Sequence, residues 1–174
     1  MEAAIRDARP SDAAQLALVH VRSWQEAYRG LVPQAYLDGL DPAQRRPGWE
    51  RTLDRTDPAR SGVLVAEDDA RLVGFASYGP SRDDDAGPGP TGEVFAIYLL
   101  PEGWGQGTGR QLMDAAVEGL IAAGYQQATL WVLDGNVRAR RFYQAAGWTA
   151  DGAVKQDDRW GFPLTETRYR RSLR

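Results

Sequence analysis

The sequence contains no cysteine and a single histidine, His20. Without cysteine the chain has no disulfide, no catalytic thiol and no thiolate metal site. Catalytic zinc normally requires two or three imidazoles, and a Ser-His-Asp hydrolase would have to use His20 alone. We therefore expect no metal cofactor. The lack of cysteine is also compatible with a cytoplasmic protein, which is the location that we expect.

Long apolar runs and an excess of positive charge are missing as well. No stretch approaches the roughly 18 apolar residues of a membrane span, and residues 1–10 lack the apolar core of a signal peptide. The net charge of −3 provides no basic surface of the kind that nucleic-acid binding needs. We expect no nucleic-acid or membrane partner, and the length of 174 residues predicts one globular domain, residues 1–174.

Hydrophobic periodicity divides the chain into alternating strands and helices. Strands are predicted at residues 2–9, 63–66, 72–78, 94–100, 128–133, 148–157 and 162–170. Helices are predicted at residues 13–28, 33–40, 43–56 and 136–146, and between Gly109 and Gly124. Ser11 and Asp12 form a plausible helix start, a hydroxyl cap followed by an acid. This order predicts an α/β fold, a mixed sheet with helices on its faces and a strand–loop–helix unit at its centre.

The centre of that unit is the segment from Val94 to Met113, VFAIYLLPEGWGQGTGRQLM. An apolar strand leads into a loop with four glycines, and a helix follows at once. Glycines let backbone N–H groups approach a ligand, and the unpaired amides of a first helical turn favour an anion such as a pyrophosphate. The loop lacks the Lys-Ser/Thr of a Walker P-loop and the spacing of a Rossmann fingerprint. A glycine-rich packing turn is the alternative that these residues leave open.

Two motifs resemble those of the GCN5-related N-acetyltransferase (GNAT) family. Residues 104–109, WGQGTG, resemble the family's R/Q-x-x-G-x-G/A loop, which binds the coenzyme A pyrophosphate, with Trp104 in place of the usual Arg or Gln. Residues 136–148, NVRARRFYQAAGW, resemble its second coenzyme-binding unit, N-x-x-A-x-x-F-Y-x-x-x-G-F/W. Residues 21–33 are similar to a bacterial subgroup with a Trp-x-x-x-Tyr-x-Gly segment. The resemblance implies a GNAT-like fold, a mixed, mostly antiparallel sheet of about seven strands flanked by four or five helices.

The resemblance also implies acetyl-coenzyme A (acetyl-CoA) as co-substrate and an N-acetyltransferase activity. The pyrophosphate is expected on the loop amides, with positive charge from Arg110, and the pantetheine arm along the central strand. The implied cofactor-binding residues are Ile97, Tyr98, Leu99, Trp104, Gly105, Gln106, Gly107, Thr108, Gly109, Arg110, Asn136, Ala139, Phe142 and Tyr143. Asn136 is equally explained as a helix cap, and Ala139 and Phe142 as core residues on a helix face.

Acetyl transfer to an amine needs a proton acceptor and a proton donor. An alkyl ammonium ion has a pKa near ~10 and must lose a proton before it attacks. The resemblance implies Glu93 as the base and Tyr143 as the acid that protonates the departing thiolate. His20, the single histidine, is the second candidate base, with a structural role as its alternative. The alternatives are a surface carboxylate for Glu93 and a buried core residue for Tyr143. Because no cysteine is available for a covalent acyl-enzyme, direct attack in a ternary complex is expected.

The acceptor is expected to be a small-molecule or peptide amine that binds between the first helices and the later strands. Trp24 and Tyr28 are the predicted substrate-binding residues, with Tyr36 and Trp160 as further candidate walls, and each is equally explained as core. Two other functions stay open: transfer of a different acyl group, and a non-catalytic acyl-CoA sensor. The oligomeric state also stays open, with a homodimer as one option because proteins of this fold often dimerise.

Overall fold

The structure, a computed structural model, describes residues 3–85, 87 and 89–173. This part of the chain contains seven strands and five α-helices. The strands are β1 (Ala4–Asp7), β2 (Gly62–Asp68), β3 (Arg71–Pro80), β4 (Thr91–Leu99), β5 (Gln127–Leu133), β6 (Thr149–Asp157) and β7 (Leu164–Ser172). The helices are α1 (Ala13–Ala27), α2 (Gln34–Asp38), α3 (Pro42–Arg55), α4 (Thr108–Ala122) and α5 (Val137–Ala145).

The seven strands form one mixed sheet in the order β1-β2-β3-β4-β5-β7-β6. All neighbouring pairs are antiparallel except β4 and β5, which are parallel. A parallel pair requires a crossover connection, and α4 provides it between β4 and β5. The predicted mixed, mostly antiparallel sheet of about seven strands with helices on its faces is therefore confirmed.

Helices cover the two faces of the sheet with separate hydrophobic cores. On one face α4 and α5 bury Leu112, Leu120 and Tyr143 against alternate residues of the strands. On the other face α1 and α3 bury Leu16 and Trp49. The apolar run of β4 is explained by this arrangement, since a strand covered on both faces needs apolar residues at successive positions.

The start of α1 differs from the predicted hydroxyl cap. Residues 10–12 form a short 3₁₀ turn, and no side-chain hydrogen bond caps α1. Asp12 is buried and accepts hydrogen bonds from the Arg9 amide and the Arg6 guanidinium at 2.7 and 2.8 Å. The Arg6 guanidinium holds the pKa of the Asp12 carboxyl below its usual range. The acid therefore joins β1 to the turn instead of capping the helix.

Strand β4 begins three residues before the predicted start because residues 91–93 pair with β5. The paired positions are Thr91 with Gln127, Gly92 with Ala128 and Glu93 with Thr129, and the pairing ends there. Beyond Glu93 a bulge in β4 shifts its register with β3, while β5 stays paired with β7 along its length. The two parallel strands consequently diverge, and the second half of β4 faces a gap.

None of the helices in the described ranges combines the length and the apolar character needed to cross a membrane.

Candidate active site

The glycine loop ends in a helix whose first amides have no partner within the helix. Gly105 and Gly107 have φ angles of +75° and +86°, a region that L side chains rarely adopt. A Cβ atom at either position would meet no other atom within 4 Å, so the backbone angle, not space, requires glycine. No side chain caps α4, and its first helical bond runs from the Gln111 amide to the Gly107 carbonyl. The amides of residues 108–110 are therefore available to an anion.

Trp104 ties the loop to both flanking elements. Its indole N–H donates a hydrogen bond to the Leu99 carbonyl at 2.9 Å. The Arg138 guanidinium of α5 stacks over the indole ring, 3.4 Å from its centroid. Arg110, which we expected to supply the positive charge here, instead donates to Asp114 at 2.9 Å. Among the described residues, Arg138 forms no ion pair, and its guanidinium stacks on Trp104, so a cation beside the loop comes from α5.

The gap between β4 and β5 opens into a cavity of about 540 Å³. The Leu100 amide donates to the Val73 carbonyl at 2.8 Å, so alternation along the strand turns the amides of Ile97 and Leu99 away from β3. These backbone groups face the gap, where β5 does not pair with them. An extended ligand chain can pair with them as an added strand would.

Helix α5 closes the far side of the cavity. The Asn136 side chain accepts a hydrogen bond from the Ala139 amide at 3.1 Å and so caps the helix. Phe142 and Tyr143 follow on the face that lines the cavity. Burial raises the pKa of the Tyr143 hydroxyl above its ordinary value of 10.0. Tyr143 therefore carries its proton at neutral pH, as an ordinary tyrosine does, and its hydroxyl can donate a hydrogen bond.

Two further tyrosines lie at the cavity wall. The hydroxyls of Tyr28 and Tyr98 share a hydrogen bond of 2.8 Å between α1 and β4. Burial raises the pKa of Tyr98 to about 12, and it raises the pKa of Tyr28 as well. Both hydroxyls are neutral at physiological pH and present hydrogen-bonding groups at the wall of the cavity.

Most of the residues predicted for the site line this one cavity. They are Tyr28, Ile97, Tyr98, Leu99, Trp104, Gly105, Gly107, Gly109, Arg110, Asn136, Ala139, Phe142 and Tyr143. Glu93, Gln106, Thr108 and Trp24 are not among the lining residues. Thr108 is buried, and the Gln106 side chain donates to the Glu102 carbonyl at 2.8 Å. Trp24 packs behind the wall, with its ring 4.7 Å from the ring of Tyr28.

The sequence reasoning missed Arg138 and Trp131, which also line the cavity. Arg138 had a local signal, since it directly precedes Ala139 within the second motif. Trp131 had none, because its position follows from the divergence of β5 from β4.

Comparison with known proteins decides the family. The family model described as acetyltransferase (GNAT) family matches residues 4–148, which is most of the chain. The chain belongs to the GNAT family. It is 38% identical over 143 residues to the uncharacterized N-acetyltransferase YuaI of Bacillus subtilis, an alignment that covers 81% of this chain and 77% of that protein. The expected family and enzyme class, an acyltransferase, are therefore confirmed.

Solved structures show the same GNAT fold. The PaiA N-acetyltransferase from Thermoplasma acidophilum, in complex with coenzyme A, superimposes with a TM-score of 0.79 at 20% identity and 99% coverage of both chains. The acetyltransferase yncA from Salmonella typhimurium, with its cofactor acetyl-CoA, gives a TM-score of 0.72 at 21% identity, covering 100% of this chain and 95% of that one.

Glu93, the expected base of this GNAT protein, is buried and ion-paired. Its carboxylate accepts hydrogen bonds from the Arg82 guanidinium at 2.7 Å and from the Arg82 amide at 3.0 Å. The Glu93 side chain is 2% exposed, whereas that of Arg82 is 63% exposed. Glu93 therefore lies behind a solvent-facing arginine instead of on the cavity wall.

His20, the second candidate base, lies among aromatic rings. The rings of Trp24, Trp49, Phe75 and Tyr98 have centroids 5.7 to 5.9 Å from that of His20. Burial, with a smaller contribution from the Arg45 charge, lowers the pKa of His20 to about 3. An imidazole with so low a pKa holds a proton too weakly to accept one from an amine.

Proposed function

We propose that this protein transfers the acetyl group of acetyl-CoA to the primary amine of a small molecule or peptide. The observation that carries the proposal is the unpaired half of β4, which faces a cavity running from the free amides of α4 to Tyr143. YuaI, the relative described above, is named as an N-acetyltransferase, and two structural neighbours were crystallised with coenzyme A or acetyl-CoA.

In this proposal the pyrophosphate binds the amides of residues 108–110 and the Arg138 guanidinium. The pantetheine arm then pairs with the backbone of Ile97 and Leu99. The Leu99 amide is turned into the gap and polarises the thioester carbonyl. One such donor is worth about 3–4 kcal/mol of transition-state stabilisation in enzymes of known mechanism.

The proposed proton transfers use groups on either side of the thioester. The Tyr143 hydroxyl is protonated at neutral pH, as an ordinary tyrosine is, and it lines the cavity where it can protonate the thiolate as the amide forms. Glu93 takes the ammonium proton, directly or through water, after its ion pair with Arg82 opens. The amine nitrogen attacks the carbonyl carbon and the carbon–sulfur bond breaks. The second proton that the nitrogen loses restores the Tyr143 hydroxyl, and an amide and free coenzyme A result.

The first test is isothermal titration of acetyl-CoA into the purified protein, with NAD and ATP as controls. We expect selective binding, followed by release of free thiol when amines are added. Tyr143→Phe should lower kcat roughly 100-fold or more, the usual scale of general acid catalysis, and leave acetyl-CoA affinity unchanged. Equal turnover in Tyr143→Phe would contradict the assigned role of the hydroxyl.

The same assay separates the two alternative functions. Faster turnover of propionyl-CoA or succinyl-CoA than of acetyl-CoA would assign a different acyl group. Binding of acetyl-CoA without thiol release on a broad amine panel would favour a non-catalytic sensor.

A further inference from the structure

A second cavity, of about 510 Å³, lies between α3 and the sheet. It occupies the sheet face that carries α1, and Phe95 and Ala96 of β4 line both this cavity and the coenzyme cavity. Two residues of one strand therefore separate it from the place where the thioester is proposed to lie. A molecule bound in the second cavity can therefore extend one end past β4 into the coenzyme cavity.

Three arginines line the second cavity. They are Arg45 and Arg55 of α3 and Arg82, which follows β3, and none of the described lining residues is acidic. Arg82 is paired with Glu93. Within the ranges that the structure describes, the guanidinium groups of Arg45 and Arg55 form no hydrogen bond or ion pair. Arg45 is half-buried and Arg55 is exposed. The cavity thus presents two guanidinium groups without a carboxylate partner, which favour a carboxylate or phosphate.

The remaining walls fit an organic molecule better than a bare ion. The rings of Trp49 and Phe95 and the uncharged imidazole of His20 supply apolar surface. Thr52 and Ser61 also line the cavity, and their hydroxyls donate hydrogen bonds to the Gly48 and Asp57 carbonyls at 3.0 and 3.2 Å. This combination of apolar walls with a few polar groups is typical of small-molecule sites.

We propose that the second cavity binds the anionic group of the acceptor, so that the acceptors are amines that also carry a carboxylate or phosphate. The proposal rests on the acetyltransferase function argued above and specifies its substrate class. The anionic group lies against Arg45 and Arg55, and the amine extends past Ala96 toward the thioester. Arg82 stands between this cavity and Glu93, so the bound acceptor lies next to the proposed base.

The test compares amines that differ only in the anionic group, using acetyl-CoA and the release of free thiol. One arm pairs amino acids with their carboxamides, and the other pairs phosphoethanolamine with ethanolamine. The double variant Arg45→Gln/Arg55→Gln is compared with Arg46→Gln. Arg46 lies on the same helix in an exposed ion pair with Glu50 and does not line the cavity. Titration of acetyl-CoA into each variant verifies the fold and the coenzyme site.

We expect kcat/KM to favour the anionic member of at least one arm by roughly 10-fold or more, the worth of a charge-assisted hydrogen bond. The double variant should lose this preference, whereas Arg46→Gln should keep it. The arm that shows the preference identifies carboxylate or phosphate. Equal kcat/KM for both members, or a preference that survives the double variant, overturns the inference and leaves the acetyltransferase function standing. Acetyl-CoA binding without turnover of any amine overturns both.

Discussion

The single histidine makes the stability of the protein depend on pH in a way that the structure specifies. The His20 imidazole is buried among four aromatic rings, and its Nδ1 atom has no hydrogen-bond partner among the described residues. Its pKa falls from an ordinary value of 6.5 to about 3 in the folded protein. Between these two values the unfolded chain binds a proton that the folded chain does not, so stability falls as the pH falls.

The size of the effect follows from the two pKa values. At pH 7.5 both states carry a neutral imidazole, and His20 contributes no pH dependence. At pH 5.0 the folded imidazole is neutral and the unfolded one is almost fully protonated. The relevant difference is the one between the unfolded pKa of 6.5 and pH 5.0, about 1.5 units. At ~1.36 kcal/mol per unit, the free energy of unfolding should fall by about 2 kcal/mol between pH 7.5 and 5.0. Carboxylates contribute little over this range because most titrate below it.

Urea denaturation at pH 7.5 and 5.0 measures this change, with His20→Phe as the variant that removes the titrating group. Phenylalanine suits the aromatic surroundings, and the variant should show almost no change over the same range. Since the chain has one histidine, a single imidazole resonance reports the folded pKa by NMR, independently of any variant. A folded titration midpoint above pH 5.5, or equal losses of stability in both proteins, would refute the reasoning.

Three other substitutions test the site and its support. Trp104→Leu removes the hydrogen bond to Leu99 and the stacking under Arg138, so titration should show acetyl-CoA affinity reduced roughly 10-fold, the worth of one or two such contacts. Gly107→Ala has space for its methyl group but keeps a positive φ, which should cost about 1–2 kcal/mol in urea denaturation. Arg168→Met removes a buried guanidinium from the carboxylates of Asp83 and Asp151 and should cost about 1.5–3 kcal/mol in the same assay, the worth of hydrogen bonds between charged groups, while Asp151 keeps its pairing with Arg170. Arg46→Met, at an exposed pair, is the matched control and should change stability little.

The parts of the fold that the sequence predicted well depend on local physics. Gly107 and Gly124 take positive φ angles, and Asn136 caps α5, as the residue types indicate. The order of strands and helices follows from periodicity for the same reason. The predicted strand ends were less accurate where pairing with a neighbouring strand determines them. Thr91 belongs to β4 because it pairs with Gln127 of β5.

The candidate site was predictable where a motif carries it and not where distant segments meet. Glu93 follows from its position in the chain, but its burial behind Arg82 depends on how the loop after β3 folds back. The low pKa of His20 depends on rings from α3, β3 and β4 that no pattern near His20 reveals. The second cavity likewise requires the packing of α3 on the sheet.

The tryptophan at the start of the glycine loop, where the family motif has arginine or glutamine, shows why a motif residue should be judged together with its neighbours in space. At position 104 the family usually has an arginine or glutamine, and this chain has a tryptophan that carries no charge. The indole keeps a donor, which it uses on Leu99, and its face holds the Arg138 guanidinium above the loop. The positive charge is thus supplied by α5, and an arginine at position 104 would place two guanidinium groups side by side. Trp104 and Arg138 therefore form one structural unit, in which changing either residue alone removes the support of the other.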